Sequence, residues 1–590
     1  MIFDDLCRLY DLKLESDAVP HEGWSCERVS WELVIDSDGS LAAAVPLVTK
    51  ASRYVWMNVP EQVTRTCGAK PFCLCDKVGI LLGCGSKKKQ EEHEKLIECH
   101  RAFFDGLADA GIIAFIHFLE ADRKGELPCP IANRNLEELA VVRLLDDSCY
   151  IHERAAVRDY WDSNRGDWGR DLEKDLVKED EAPLIQCSIT GERTRPASLF
   201  PVPKGFSGVK PTASPVNFNC QSFCSYGMTP DDKAANSRLS ARAAFKAGSA
   251  LRYLVNDENH YVDFGQDRIL FWTDEDDAES LDEISLFFGK YDKERAKGED
   301  EVLLAEITER LNSIREGRTS LGVDGSTKYY LMCLSRNGGR IPIRFYETGS
   351  MGSLEKRYAQ YLSDIELEGE TERPRSIRSY VYQTAPLAKA ENIPATMVTS
   401  VMRSMLRGEP FPNSLYVQLL TRIRADKGYL PGKNGKTWDA MRLRVPMLKA
   451  CLLRFARLHN DRETERSLTV SLNEDNVNKG YVLGRLFATL EKAQRDASDG
   501  ELNTTIRDRY ISAASMTPAR VFPQLLRLAQ YHVSKVEYGT FFEKTIESIM
   551  ERLDSGGGFP ATLSLQDQGQ FYIGYYQQMQ AFYKPRNKEN

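Results

Sequence analysis

No run of apolar residues in this 590-residue chain reaches the ~20 positions that a bilayer-spanning helix needs. Its first residues, MIFDDLCRLYDLKLESD, are acidic where a secretory leader is basic. No membrane association and a cytoplasmic location are therefore expected. Histidine is scarce, with eight residues that lack ligand-type neighbours. The spacings H-E-x-x-H, G-x-S-x-G and G-x4-G-K-[ST] are missing, which excludes the common zinc peptidases, α/β-hydrolases and P-loop NTPases. We expect no catalytic residue, no cofactor and no metal. An excess of positive charge is also lacking. The net charge is −8, so a uniformly basic nucleic-acid binder is excluded and any phosphate contact must come from local patches. Cysteine, by contrast, is plentiful at 14 residues, seven of them between Cys67 and Cys149. The spacings at Cys73 and Cys75 (C-x-C) and at Cys220 and Cys224 (C-x3-C) are not those of paired zinc ligands. Reduced, mostly buried cysteines are expected.

Single cores stop growing at about 250–300 residues, so several domains are required. Hydrophobic residues at 42% and charged residues at 28% are ordinary for globular chains. Val29, Trp31, Leu33 and Ile35 alternate with polar residues, Asp36 to Gly39 supplies a turn, and Leu41 to Val48 resumes the apolar run; this predicts a hairpin. Lys77 to Leu82 predicts a strand, and His93 to Ala110 a helix. Seven prolines between Pro183 and Pro230 predict a loop-rich segment. Asn236 to Val255 turns helical. The tract 273–306 holds 13 Asp/Glu against four Lys/Arg and reads as a solvated face or an insertion. Tyr329 to Tyr346 predicts a second hairpin around Asn337-Gly338. Beyond about 380 the pattern is helical, with stripes such as Leu483, Leu486, Phe487, Leu490 and Phe541, Phe542, Ile546, Ile549, Leu553. The fold class expected is multi-domain α+β: a mixed α/β body over 1–380, a basic helical segment over 381–475 and a C-terminal helical bundle over 476–590.

Charge segregation is the clearest functional signal. Residues 401–460 hold 12 Lys/Arg and three Asp/Glu, a surplus of nine positive charges inside an acidic chain. Lys433 and Lys436 fall among glycines, and Arg442, Arg444 and Lys449 follow on a helix. Such a patch can neutralise phosphates; the alternative is a face that meets the acidic tract. Two loops carry further donors. Phe200 to Lys210 offers Lys204, Ser207 and Lys210 beside Gly205 and Gly208, which allow close backbone approach. Pro215 to Gly227 interleaves Asn217, Asn219 and Tyr226 with Phe218 and Phe223. Amides can pair with an adenine edge, and rings can stack on bases or wedge between them. The alternative is a strand with its aromatic face buried.

Several stretches together resemble one family, the large subunit of type I-C CRISPR-associated Cascade complexes. They are His21-Glu-Gly-Trp24, Lys70-Pro-Phe-Cys-Leu-Cys-Asp76, Leu81-Leu-Gly83, Cys187-Ser-Ile-Thr-Gly-Glu192, Lys204-Gly205, Asn217-Phe-Asn219, Ser225-Tyr-Gly227, Tyr330 to Asn337, Gly484-Arg-Leu-Phe487, Arg507-Asp-Arg-Tyr510, Phe522-Pro523 and Gly574-Tyr-Tyr-Gln-Gln578. They run in order along nearly the whole chain. One departure is Phe200 before Pro201, where the family often has His.

The resemblance implies a prokaryotic, non-catalytic subunit of an RNA-guided antiviral complex. Guide pairing reads sequence length, while the protein reads a short protospacer-adjacent motif in duplex DNA, helps open the duplex and holds the displaced strand. The partners implied are CRISPR RNA, target double-stranded DNA, backbone and RNA-processing subunits, a small subunit and a recruited helicase-nuclease. Lys204, Gly205, Ser207, Gly208 and Lys210 would contact the groove, with Asn217, Asn219 and Tyr226 as supports. Lys433, Lys436, Arg442, Arg444 and Lys449 would hold phosphates, and Arg485, Lys492, Arg507 and Arg509 would track a single strand. A start inside the gene near residues 475–485 would yield a separate small subunit; with no Met between Met447 and Met516 it needs another codon. Competing readings are a metal-dependent nuclease using carboxylates of 273–283 and a purely structural scaffold.

Overall fold

The computed structural model describes residues 1–47, 53–62, 71–121, 131, 135–168, 184–197, 199–225, 227–230, 236–275, 277–288, 309–310, 312–317, 323–336, 338–369, 376–389, 392–426, 429–431, 437–498, 504–554 and 558–584. Two compact units are present: Met1–Asn256 with Asn337–Ile341, and Asp257–Arg336 with Pro342–Asn590.

The first unit is built on a mixed five-stranded sheet. Its long strand β1 (Trp24–Ile35) pairs antiparallel with β2 (Leu41–Pro46) over one half and with β3 (Val55–Pro60) over the other. On its opposite edge β1 pairs parallel with β5 (Leu139–Leu144), which pairs antiparallel with β4 (Cys75–Lys77). The expected first hairpin is present, with the Asp36 amide donating to Ser40 O at 2.8 Å. Gly39 closes it at φ +89, where a Cβ would also lie 2.6 Å from the Phe118 amide nitrogen. A parallel neighbour needs a crossover. After helix α1 (Ile2–Glu15) at the start of the chain, α2 (Lys87–Phe103) and α3 (Ala110–Glu120) supply it. Leu33, Ile35, Ala140 and Val142 of the sheet share a core with Phe103, Phe115 and Phe118.

Two expectations shift here. The helix expected over 93–110 stops at Phe103, because Gly106 takes φ +83 and Asp109 caps a new helix by accepting from the Gly111 and Ile112 amides. The strand expected over 77–82 is the short β4 followed by one helical turn, Val78–Leu81. Further on come α4 (Ala155–Asn164), the small hairpin of β6 (Ile185–Gln186) and β7 (Arg193–Thr194), and α5 (Ala241–Asn256), which packs on α1.

The second unit opens with a four-stranded antiparallel meander of β8 (Tyr261–Phe264), β9 (Asp267–Thr273), β10 (Lys328–Ser335) and β11 (Ile343–Ser350). The hairpin expected over 329–346 is β10 and β11; Asn337 lies outside the described residues. Part of the acidic tract forms α6 (Ala278–Phe287), capped by Asp277, with Glu283 buried beside Arg310 at 3.2 Å; residues 289–308 lie outside the described residues. After α7 (Met351–Ile365), α8 (Ala395–Arg407) and α9 (Asn413–Asp426), the chain continues as α10 (Met441–Leu458), α11 (Lys479–Asp496), α12 (Ile506–Ala514), α13 (Pro518–Val533), α14 (Gly539–Asp554) and α15 (Leu565–Tyr583). Within this unit Phe287 stacks on Tyr358 at 4.1 Å, and Tyr358 meets Tyr361. One continuous core therefore runs from Val262 of β8 to Met579 of α15. The divisions expected at 380/381 and 475/476 fall inside this core. The α+β class with a C-terminal run of helices is borne out.

Helix α11 packs on α15 with its backbone in close approach. A Cβ at Gly480 would lie 2.0 Å from Asp567 O, one at Gly484 2.0 Å from Phe571 O, and one at Gly574 2.2 Å from Tyr481 O. Two backbones touch there, which only glycine allows. Among the described residues no helix is long and apolar enough to cross a membrane.

Candidate nucleic-acid interface

The loop segment 199–225 of the first unit hangs on a few buried anchors. Phe200, Phe206 and Ala213 are buried, and the Phe200 ring lies 5.3 Å from Phe3 of α1. Gly248 of α5 makes room for Pro201, since a Cβ there would sit 2.5 Å from the proline ring. Gly205 takes φ +97, and a Cβ would lie 1.9 Å from the Asn256 Oδ1. In exchange the Asn256 amide donates to Lys204 O at 2.8 Å. The glycine expected to admit a groove thus admits the protein's own asparagine. Gly208, at φ +84, turns the chain outward.

Lys204 is the main correction in this loop. Its ammonium lies 2.7 Å from Glu27 Oε1 on β1, and Arg252 reaches the same oxygen at 3.1 Å. Burial raises the Glu27 pKa, but the charges and hydrogen bonds of Arg252 and Lys204 outweigh it and hold the carboxyl below its usual range. With 37% of its side chain exposed, Lys204 ties the loop to the sheet and is not a free donor.

Other donors of the segment face outward. Ser207, Lys210, Asn217 and Asn219 are exposed. The Lys210 amide donates to Gly338 O at 2.8 Å, and Val209 bridges Gly338, so the 338–341 stretch and this loop form one surface of the first unit. Arg340 then does two things. Its guanidinium carbon lies 3.9 Å from the Phe223 ring centroid, and its Nη2 donates to Asn219 Oδ1 at 3.2 Å. Phe223 remains 38% exposed at the end of a short 3-10 turn, Gln221–Phe223. A cation stacked on an exposed ring, with an amide and a lysine beside it, suits phosphate, base edge and base face together. Tyr226 lies outside the described residues. Sequence reasoning missed Arg340 as a site residue; its signal was a lone arginine after Gly338-Gly339 at a hairpin tip.

The basic segment of the second unit behaves differently from expectation. Lys433 and Lys436 lie outside the described residues. Arg444 is 0% exposed, 2.7 Å from Asp426 Oδ2, and donates to Arg422 O. Lys449 is buried and donates to Glu366 O at 2.8 Å. Arg485 is buried with its Nε on Gln578 Oε1 at 3.0 Å, and Arg507 is buried with its Nη2 on Asp439 Oδ1 at 3.0 Å. Lys492 is held by Asp496 at 2.5 Å. Arg454 and Arg457 bracket buried Asp364 at 2.8 and 2.6 Å. Arg444, Lys449, Arg485 and Arg507 are therefore buried and held by partners within the second unit, and Lys492 is partly buried on Asp496. A linear count of charge cannot see that Asp364 reaches Arg454 and Arg457, that Asp439 reaches Arg507, or that a backbone carbonyl takes Lys449. Arg442 and Arg509 are exposed.

Cys73, Cys75 and Cys99 are buried, and burial pushes the Cys73 and Cys75 thiols well up. Cys67 lies outside the described residues. Among the described residues no group of three or more His, Cys, Asp or Glu is arranged to hold a metal ion. A search of curated proteins finds no match. The family described as CRISPR-associated protein (Cas_Csd1) matches residues 6–583, nearly the full length. The chain belongs to the Cas_Csd1 family of CRISPR-associated proteins.

Proposed function

We propose that this protein is the large subunit of a type I-C Cascade, a non-catalytic reader of the short motif that flanks a target in duplex DNA. Family membership supports a role in a CRISPR–Cas interference complex. The observation that carries the finer reading is the surface of Lys210, Asn219, Phe223 and Arg340, where a free cation, an amide and a cation-stacked ring converge. A reader of this kind needs few base contacts, because guide RNA supplies the rest of the specificity. It also needs no net positive charge, since only the contacting surface must be cationic. Arg442 and Arg509 remain as contacts for the displaced strand. The partners in this reading are CRISPR RNA, the DNA duplex, the backbone, processing and small subunits, and the helicase-nuclease that follows target capture.

The test is binding of the assembled complex to duplexes that differ only at the flanking positions. Arg340→Ala and Asn219→Ala are expected to flatten discrimination among flanking motifs, since each base-edge contact is worth about 1–3 kcal/mol. If both variants discriminate like the unaltered complex, this surface does not read the motif.

A further inference from the structure

Beside the Phe223–Arg340 stack, the first unit has a cleft of about 530 Å³ lined by Ser188, Phe218, Phe223, Ser225, Asn236 and Arg238, among others. Its volume lies within the ~300–1,000 Å³ range of clefts that hold small-ligand-sized groups. The two phenylalanines give it aromatic faces, and the serines and asparagine give it hydroxyl and amide groups. Arg238 is exposed on the same wall.

The backbone at Arg238 is held in an uncommon conformation. Its φ is +51, a region that non-glycine residues seldom adopt without cause. Hydrogen bonds along 238–240 hold the turn: the Ser188 amide donates to Arg238 O at 2.9 Å, the Ala197 amide to Leu239 O at 2.8 Å, and the Ser240 amide to the Cys187 side-chain Sγ at 3.4 Å. Arg238 makes no ion pair among the described residues. An exposed guanidinium rising from this anchored turn, in a cleft that two phenyl rings also line, offers a site for an anion attached to a flat ring.

We infer that this cleft receives one unstacked nucleobase, its ring against Phe218 and Phe223 and its phosphate on Arg238. The inference rests on the DNA-reading role above and adds a ligand to it: a single nucleotide extruded from a strand near the flanking motif. Any enzyme or opener that takes a base out of a stack must offset lost stacking, and aromatic faces do so with little dependence on sequence. Such a cleft would make duplex opening favourable at one position, next to the surface that reads the intact duplex.

The experiment uses the assembled complex and a target duplex with 2-aminopurine placed, one position at a time, on either strand around the flanking junction. One position is expected to brighten several-fold on binding, as unstacking relieves quenching. Ser225→Trp, which fills the cleft from an exposed position, and Phe218→Ala are expected to abolish that signal. An abasic residue at the bright position should weaken binding about five-fold or more, the lower end of one base–aromatic stack. If no position brightens, or the bright position ignores both variants, the cleft inference is overturned while motif discrimination through Arg340 still stands. If Ser225→Trp disrupts assembly while Phe218→Ala assembles and leaves the bright position intact, the cleft seats a protein segment and the inference is likewise overturned. Loss of all motif discrimination in the unaltered complex would instead defeat the DNA-reading role itself.

Discussion

Mild acid should loosen the first unit through His100. This side chain is fully buried on α2. The Leu74 amide donates to its Nε2 at 3.0 Å, and its Nδ1 lies 2.8 Å from Leu96 O. A donor aimed at Nε2 requires a bare lone pair there, so Nδ1 carries the hydrogen and the ring is neutral. The contact also pins Leu74, which takes φ +56 between Cys73 and Cys75. Burial drives the His100 pKa down to about 4, against a smaller opposing effect of its bond to Leu96 O. An unfolded histidine titrates near ~6.5. The folded value is thus depressed for a base. Between pH 6.5 and 4 the unfolded chain binds more protons than the folded one, so stability falls as pH falls through that window. At pH 5 the penalty is about 2 kcal/mol, at ~1.4 kcal/mol per unit over about 1.5 units. His152, also buried and pushed down to about 4, adds about 2 kcal/mol if the two act independently. Together they remove a large share of a typical ~5–15 kcal/mol. Hydrogen exchange at pH 7, 6 and 5, followed through peptides covering Leu74 and α2, should show protection falling toward pH 5. In His100→Gln, whose amide keeps an acceptor for Leu74 without titrating, the fall should shrink by about half. Equal pH dependence in His100→Gln and the unaltered protein would refute the reasoning.

Four further outcomes follow from the geometry. Asp364→Ala leaves buried Arg454 without its carboxylate and should destabilise the second unit by about 3–5 kcal/mol in urea unfolding, with the salt slope of DNA binding unchanged. Gly484→Ala drives a methyl into the Phe571 carbonyl and should lower stability by more than about 3 kcal/mol, read by thermal unfolding. Lys210→Ala should lower the salt slope of DNA binding by about one unit. Lys204→Ala should leave that slope alone and reduce first-unit stability by no more than about 1 kcal/mol, because the Glu27 pair is partly solvated and Arg252 remains.

Period and turn chemistry made much of the fold legible. The Asp36–Gly39 hairpin and the β10–β11 hairpin announce themselves by alternation and turn residues, and the helices beyond 380 by their stripes. What stayed hidden depends on distant partners. Nothing near Lys204 in sequence says that Glu27, 177 positions away, will take its ammonium. Arg444 and Lys449 look like part of a patch, and Arg485 like a strand contact, only while their acceptors Asp426, Glu366 and Gln578 are unplaced. The core shared by the meander and the helices runs across positions 380 and 475, and apolar stripes alone do not say which faces they will meet. The glycines of Gly484 and Gly574 drew notice only as short motifs, whereas their role is a helix crossing.

That crossing sets a limit on how the gene could be subdivided. Where main chain rests on main chain there is no side chain to readjust, so α11 cannot slide along α15 by even one residue. A polypeptide begun inside the gene would need Gly480 as well as Gly484 to seat its last helix, which fixes the latest workable start ahead of Lys479. Such a product would also lack Tyr416, whose hydroxyl fills the notch at Gly569 and donates to Leu565 O, leaving a bare spot on its last helix for another chain to cover.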